Sequence, residues 1–253
     1  RAGLSAAAAG AAAVQGLAFL QAADFYTQAL ELGEPPPDER RRLLTKRAET
    51  LTHAGRGRAA GESFEQAAAL ASSAAERHES RLLRSRAAEP YLVSGFVERG
   101  VAVLAPLLTE LGLPYPSSSG SALLGTFAQL PRLVHRFRRL DANPPRRIDL
   151  PDSVSARIDT CHTAAKGLVV VDPLRGTYFS VRSLADALAQ GHAWRVGRGL
   201  SVVGASMAPI RGPLGRLLRP LAGRMLRRSR DLAQQLDDPY LQGMASISMA
   251  QES

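Results

Sequence analysis

The sequence predicts an all-α protein built from stacked helical hairpins, and three observations favour this class. A pattern of glycine, small and large apolar residues over residues 51–67 recurs over residues 91–107, which is 40 residues later. A fixed period of this size is typical of stacked supersecondary units. Glycine and proline clusters divide the chain into lengths that suit pairs of short helices. Apolar runs such as 169–171 lie within helical periodicity and lack hairpin-turn signals, so we expect no strand.

Each copy of the pattern begins with a large apolar residue, and glycine follows four residues later. A small residue stands at plus nine, a large apolar residue at plus thirteen, and alanine or leucine at plus sixteen. The two sets are Leu51, Gly55, Ala60, Phe64 and Ala67, and Tyr91, Gly95, Gly100, Leu104 and Leu107. Because glycine adopts the left-handed conformation that a helix terminus needs, each copy predicts a turn between two helices.

The first half of the chain is predicted to form three such hairpins. They cover about residues 6–32, 38–75 and 76–111. The three prolines of 35–37 cannot continue the first hairpin, and Asp38 is suited to cap the next helix. Three hairpins are about the minimum for a self-supporting stack.

The composition changes after residue 111. Residues 112–121 are rich in proline, serine and glycine, and a basic helix of about residues 122–140 follows. Further helices are predicted at about residues 153–171, 177–190, 192–208 and 214–236, and Asp238 before Pro239 marks the start of another. We therefore expect hairpins over 1–112, a connector with a basic helix over 113–152, and further hairpins over 153–253, truncated at the C-terminus.

The chain is basic, with 32 Lys and Arg against 23 Asp and Glu and a net charge of +9. Only Lys46 and Lys166 are lysines, and the abundance of Arg, Ala and Gly suggests a high-GC bacterial genome. A basic chain favours acidic partners, nucleic acid or anionic lipid. The single cysteine, Cys161, cannot form an internal disulfide, which favours a reducing, cytoplasmic compartment. Residues 2–23 carry no charge but are rich in alanine, so we expect no membrane span.

No pattern of catalytic or metal-ligating residues stands out. The glycine-rich spots at 55–57 and 197–199 lack the Gly-Lys-Ser/Thr end of a phosphate loop, and the kinase signatures are missing. Cys161 and His162 are adjacent, so on a helix they point about 100° apart and form no nucleophile–base pair. The other histidines show no metal-ligand spacing. We predict no catalytic residue, no metal and no cofactor in this segment.

The turn at residues 172–176 has a structural interpretation. Asp172 is expected to cap the following helix with Pro173 in its first turn, while Arg175 pairs locally.

The first half resembles the tetratricopeptide repeat, in which small residues let a large neighbour sit between helices. The small residue of the first helix falls on Gly10, Ala48 and Ala88. The small–aromatic–small triad of the second helix falls on Ala22, Tyr26 and Ala29, on Ala60, Phe64 and Ala67, and loosely on Gly100, Leu104 and Leu107. The resemblance covers about residues 6–112, and its period of 38–40 residues exceeds the family's usual period of about 34.

A second resemblance concerns residues 158–184, with the Val-Asp-Pro-Leu-Arg-Gly turn of 171–176 as the most recognisable part. This segment is similar to the helical C-terminal regions of large bacterial signalling proteins, in which a serine/threonine kinase domain and a predicted ATPase module precede such repeats. The resemblance implies a parent protein that binds ATP and phosphorylates proteins. Neither activity is expected in this segment.

The leading functional hypothesis is a non-catalytic scaffold that binds a protein or peptide on its concave face. First-helix residues are the expected contacts, namely Arg47, Thr50, Arg84 and Glu89. The alternative is an arginine-rich sensor arm for nucleic acid or another polyanion, carried by Arg132, Arg136, Arg138 and Arg139 and by Arg211, Arg216, Arg219, Arg224, Arg227, Arg228 and Arg230. A steep fall of affinity with salt distinguishes the alternative. The oligomeric state stays open.

Overall fold

The structure, a computed structural model, describes residues 1–71, 76–208 and 210–250. These residues form helices and no strand, apart from an isolated bridge between Arg146 and His192. The helices are α1 (Ala2–Gln15), α2 (Phe19–Leu32), α3 (Pro37–His53), α4 (Gly57–Leu70), α5 (Arg77–Val93), α6 (Val97–Glu110), α7 (Ser119–Arg138), α8 (Asp152–Leu168), α9 (Pro173–Gln190), α10 (Ala193–Met207), α11 (Gly212–Leu236) and α12 (Pro239–Ala250). The all-α fold of stacked hairpins is confirmed. The predicted end of the second hairpin, residues 72–75, lies outside the described residues.

The chain forms two compact units. The first contains the described residues of Arg1–Tyr115 together with Lys166–Val171, and the second contains Pro116–Ala165 and the described residues from Asp172 onward. The segment predicted as a connector, residues 113–152, is therefore divided between them. Its helix α7 lies in the second unit, where it packs against α9. In the described part of the chain, no helix is both long and apolar enough to cross a bilayer.

Three turns of the same geometry join the helices of the first unit. Leu17, Gly55 and Gly95 are left-handed, with φ of 57°, 71° and 85°. The residue that follows each of them donates its backbone N–H to the carbonyl of the residue five positions before it, at 2.8–2.9 Å. This bond satisfies a carbonyl that the end of the helix would otherwise leave without a partner. Because these turn residues are 38 and 40 residues apart, the turns repeat with the period of the sequence pattern.

The first of these turns is strained because leucine occupies a left-handed position. The steric clash of a Cβ in this conformation costs about 1–2 kcal/mol, and glycine, which has no Cβ, avoids this cost. Leu17 is 72% exposed, so its side chain contributes little packing. We expect Leu17→Gly to raise the free energy of unfolding by about 0.5–1 kcal/mol, after the added flexibility of the unfolded chain is deducted. Urea denaturation measures the change, and Gly55→Ala, the matched control, should have the opposite sign.

The small and large positions of the repeat all lie in the interior of the first unit. Gly10 and Gly100 are buried, and the other ten are at most 3% exposed. The two glycines allow close approach, because a Cβ on Gly10 would lie 2.9 Å from the ring of Tyr26 and one on Gly100 would lie 2.5 Å from Cγ of Leu92. The second helices α2 and α4 each contact the first helix of their own hairpin and that of the next, and α6 contacts α5 of its own hairpin.

The second unit is built around a separate apolar core. Leu133 and Phe137 of α7 pack with residues of α8, α9, α10 and α11, among them Ile158, Leu184 and Leu200. The hydroxyl of Ser183 on α9 donates to the carbonyl of Ile158 at 3.0 Å, and Ser229 of α11 donates to the carbonyl of Gly197 at 2.8 Å. These bonds satisfy buried polar groups between packed helices.

The helix starts of the second unit follow from local hydrogen bonding. Ser118 and Ser121 form a reciprocal capping box at the start of α7. Asp172 accepts from the backbone N–H of Arg175 at 3.1 Å and forms an ion pair with its guanidinium. The predicted cap and local pair are confirmed, but α9 begins at Pro173 rather than at about residue 177. Proline has no N–H to lose in the first turn, so the capped helix includes the Pro-Leu-Arg-Gly segment.

Candidate functional site

The residues predicted to contact a partner are largely engaged within the chain. Thr50 is 3% exposed, and its hydroxyl donates to the carbonyl of Arg47 at 2.8 Å. Arg84 forms a two-pronged ion pair with Glu110, at 2.8 and 2.9 Å. Glu89 lies 2.5 Å from Nζ of Lys166. Thr50 therefore offers no side-chain surface to a binding partner. Arg84 and Glu89 already pair with other residues of the chain.

Helical spacing explains this outcome. Residues four apart share a face of a helix. Arg84 stands four residues before the buried Ala88, and Arg47 stands four residues after the buried Leu43 and four before the buried Leu51. Arg47 is accordingly half-buried, and its Nε is buried with no hydrogen-bond partner in the described part of the chain. Counting from the buried Ala88 would have excluded Arg84, and Arg47 would have been excluded by counting from Leu43 and Leu51.

The same counting identifies the open side of the first helices. Relative to the buried small residue, positions −6, −2, +1 and +5 lie within about 60° of one another at 100° per residue. In α1, α3 and α5 none of these positions is buried. We call them the first-helix face: Leu4, Ala8, Ala11, Gln15, Arg42, Lys46, Glu49, His53, Leu82, Arg86, Glu89 and Val93.

The first-helix face combines basic, apolar and small side chains. Glu49 of α3 pairs with Arg86 of α5 at 2.7 Å, and the guanidinium of Arg86 lies 4.6 Å above the ring of Phe64. Lys46 lies 6.0 Å from the ring of Tyr26. In the described part of the chain, Arg42 forms no ion pair or hydrogen bond. Among the described residues, therefore, neither Arg42 nor Lys46 of the α3 part of the face forms an ion pair.

Another segment of the chain contacts the α5 part of the face at Glu89, whereas Leu82 and Val93 stay exposed. Within the first unit, Lys166 pairs with Glu89, and Gly167 lies against Leu92. A Cβ on Gly167 would come within 2.5 Å of Cδ1 of Leu92, so only glycine allows this approach. Leu92 is completely buried as a result of its contacts here and at Gly100. The sequence pattern contained no signal for this contact, because it joins residues more than 70 positions apart.

The two arginine clusters differ in the contacts that their side chains make with the rest of the protein. The four arginines at the end of α7, Arg132 to Arg139, are exposed, and Arg136 donates to the carbonyl of Ala185 at 2.9 Å. On α11, Arg224 lies 5.7 Å from the ring of Phe137, and Arg228 lies 3.8 Å from Asp141. The others are exposed, and four of them form a stripe about 80° wide, which we call the α11 face: Arg216, Arg219, Arg227 and Arg230. Among the described residues, none of these four has an ion pair or hydrogen bond.

A partly buried charge cluster in the second unit was not predicted from the sequence. Asp159 of α8 accepts from Arg195 at 2.7 Å and from Arg198 at 2.7 Å, both on α10. Burial alone would raise the pKa of Asp159, but the hydrogen bonds and charges of the two arginines outweigh it and lower the pKa. The guanidinium of Arg198 also lies 4.7 Å above the ring of Trp194, whose indole N–H donates to Asp238. The cluster holds α8, α10 and the start of α12 together.

The single cysteine lies in the same core. Cys161 is completely buried, and burial, with a smaller effect of the Asp186 charge, raises its thiol pKa to about 12. Because the thiolate is the nucleophile, such a thiol is inert at neutral pH. We expect a disulfide reagent such as DTNB to leave the native protein unmodified and to titrate one thiol after denaturation. Rapid modification of the native protein would contradict this burial.

His192 precedes α10 and caps it. Its Nδ1 accepts from the backbone N–H of Arg195 at 3.4 Å, and burial together with the charge of Arg195 lowers the pKa of His192 below 6.5. A lowered pKa means that the folded chain binds the proton less readily than the unfolded chain, so this contribution is complete above about pH 6.5 and is lost on further acidification. We expect His192→Asn, which keeps a capping side chain but does not titrate, to lose less stability than the native chain between pH 7.5 and about pH 5.5. Urea denaturation at both pH values measures the difference.

The described residues contain no cluster of three or more His, Cys, Asp or Glu arranged to hold a metal ion. No protein-family model, no curated protein and no solved structure matches this chain. The fold and the surfaces above therefore stand on the chain's own sequence and geometry.

Proposed function

We propose that the chain is a non-catalytic helical-repeat scaffold that binds a peptide segment of a protein partner on the α1 and α3 parts of the first-helix face. One observation carries the proposal. On α5, Lys166 forms an ion pair with Glu89 of this face, and Gly167 packs against the adjacent interior residue Leu92, while Leu82 and Val93 of the face stay exposed. The chain thus provides one example of a charged contact between this face and another segment.

The side chains of the open part indicate the chemistry of the partner. Arg42 and Lys46 favour acidic side chains, while Leu4, which is 66% exposed, favours an apolar one. Ala8 and Ala11 are small enough to let a backbone approach closely. An acidic peptide with a large apolar residue fits this surface, with the apolar side chain as the anchor and the charges as the source of orientation.

The resemblance of residues 158–184 supports a larger setting for this scaffold. In that setting the segment belongs to a bacterial signalling protein with kinase and ATPase modules, and it recruits partners or substrates to them. The single buried cysteine supports a reducing, cytoplasmic compartment. Sequencing the gene outward from both ends tests this setting, which requires a kinase catalytic loop and a phosphate loop upstream.

Selection from a displayed peptide library tests the binding function directly. We expect the purified chain to enrich acidic peptides that contain a large apolar residue. The double variant Arg42→Glu and Lys46→Glu should weaken binding of a selected peptide at least about tenfold, because it replaces attraction by repulsion at two exposed sites. Arg216→Glu with Arg219→Glu is the matched control, since it makes the same charge change on α11. Equal weakening by both pairs would indicate a general charge effect and contradict the assignment.

A second candidate function, polyanion binding, is supported by the α11 face. Its four arginines, which form no ion pair among the described residues, are arranged as two pairs eleven residues apart, which is about 16 Å along a helix. No aromatic residue lies on α11, so contacts would be to phosphates rather than stacked bases. Four phosphate contacts predict that log K falls with log salt with a slope of about −3.6 on duplex DNA. A shallow slope, or one that survives replacement of all four arginines by glutamine, would exclude this function.

A further inference from the structure

A cleft of about 600 Å³ opens in the second unit beside the end of α7. Its walls are the last turn of α7, the segment of residues 143–148, and the end of α9. Four nitrogen-bearing cationic or titratable side chains line it: His135, Arg136, Arg139 and Arg146. Neither the peptide-binding surface nor the α11 face includes this cleft.

Among the described residues that line the cleft, none is acidic. In the described part of the chain, the side chains of Arg139 and Arg146 form no ion pair or hydrogen bond. Arg136 is held by a single bond from its guanidinium to the carbonyl of Ala185. A guanidinium group that has no protein partner is available to an external anion, to which it donates two parallel hydrogen bonds.

The backbone beneath these arginines is fixed. The N–H of Arg146 donates to the carbonyl of Gly191 at 2.8 Å, and its own carbonyl accepts from Ala193 at 2.9 Å. The carbonyl of Arg139 accepts from the N–H of Asn143 at 2.8 Å, which closes the turn after α7. The guanidiniums therefore extend from a rigid frame, which reduces the entropy lost when they bind a ligand.

The helix ends at the cleft offset only part of its positive charge. The cleft lies at the C-terminal ends of α7 and α9, each of which presents roughly half a negative charge. Two such ends neutralise about one of the three arginine charges, so about two positive charges remain. This excess matches a phosphate dianion better than a single carboxylate.

Apolar side chains occupy another part of the lining. Ile148, which is 39% exposed, and the half-buried Leu188 face the same space as the arginines. A volume of this size is within the range of about 300–1,000 Å³ that holds small organic ligands. We propose that the cleft binds a small phosphorylated organic molecule, with its phosphate on Arg139 and Arg146 and its apolar moiety against Ile148 and Leu188.

Calorimetric titration with three probes tests the proposed chemistry. Phenyl phosphate combines a phosphate with an apolar ring, inorganic phosphate lacks the ring, and benzoate replaces the dianion by a monoanion. We expect phenyl phosphate to bind at least about tenfold more tightly than either of the others. Absence of binding at about 10 mM phenyl phosphate would overturn the proposal. So would equal affinity for benzoate, and equal affinity for inorganic phosphate would overturn the apolar contact.

Matched variants locate the binding site. Arg139→Gln with Arg146→Gln should weaken phenyl phosphate binding at least about tenfold, because two donors to the dianion lose their charge. Both side chains are exposed and unpaired, so the variant keeps the fold, which circular dichroism and thermal unfolding check. Arg216→Gln with Arg219→Gln is the control for a general loss of charge and should change the affinity less than about twofold. Equal weakening by the two double variants would overturn the proposed site.

Discussion

Replacing Phe64 by alanine is expected to lower the free energy of unfolding by about 3–5 kcal/mol, the usual cost of deleting a buried phenylalanine. Phe64 is 2% exposed and lies between the small residues Ala60 and Ala67 of α4. Removal of its ring leaves a cavity between α4 and the helices packed on it, and also removes the platform beneath Arg86. Since a domain is stable by only about 5–15 kcal/mol, the loss should be visible as a large shift of the urea midpoint.

The matched control for this variant is Phe96→Ala. Phe96 occupies the turn between α5 and α6 and is 43% exposed, so deletion of its ring should cost much less. Comparable losses from the two variants would mean that the repeat positions do not form the interior of the hairpin stack.

Replacing Asp159 by alanine should have a similar effect in the second unit, about 3–5 kcal/mol, through electrostatics rather than packing. Without the carboxylate, Arg195 and the 7% exposed Arg198 would face each other as uncompensated charges. Because the pKa of Asp159 is lowered in the folded chain, its stabilisation is present above its unfolded pKa of about 4 and is lost as the pH falls through the lower folded value.

Two further variants distinguish the effect of the Asp159 cluster on stability from that of an exposed ion pair. Asp141→Ala removes an exposed carboxylate that lies 3.8 Å from Arg228, and should cost less than about 1 kcal/mol. The double variant Asp159→Ala with Arg198→Met should be less destabilised than the sum of its single variants, because the charge that needs a partner is gone. Additive effects in this cycle would contradict the coupling.

The hairpin stack was predictable because its determinants are local and periodic. Left-handed turn residues and small packing residues recur every 38–40 positions, and a turn at Gly55 needs no distant partner. The start of α9 was placed about four residues late, because its proline-containing first turn resembles a loop in the sequence. Asp172 nevertheless indicated the cap that begins it.

The functional surfaces were less predictable. Arg84 could have been excluded by counting from Ala88, since it lies only about 40° from that alanine. Arg47 and Thr50 lie about 100° and 160° from Ala48, so the burial of Thr50 is seen only in the folded chain. The contact of Gly167 with Leu92 and the cluster around Asp159 join residues 36 or more positions apart. A single sequence contains no periodic signal for such contacts, so only the folded chain reveals them.

Photo-crosslinking of a library-selected acidic peptide tests the proposed binding function most directly. A benzophenone group beside the peptide's apolar residue would be activated on the bound complex, and the modified residues identified by mass spectrometry. We predict adducts on α1 and α3, within residues 4–15 and 42–53, and their loss in the Arg42→Glu, Lys46→Glu variant. Adducts concentrated on α11 or on the second helices of the hairpins would contradict the first-helix face as the partner-binding surface.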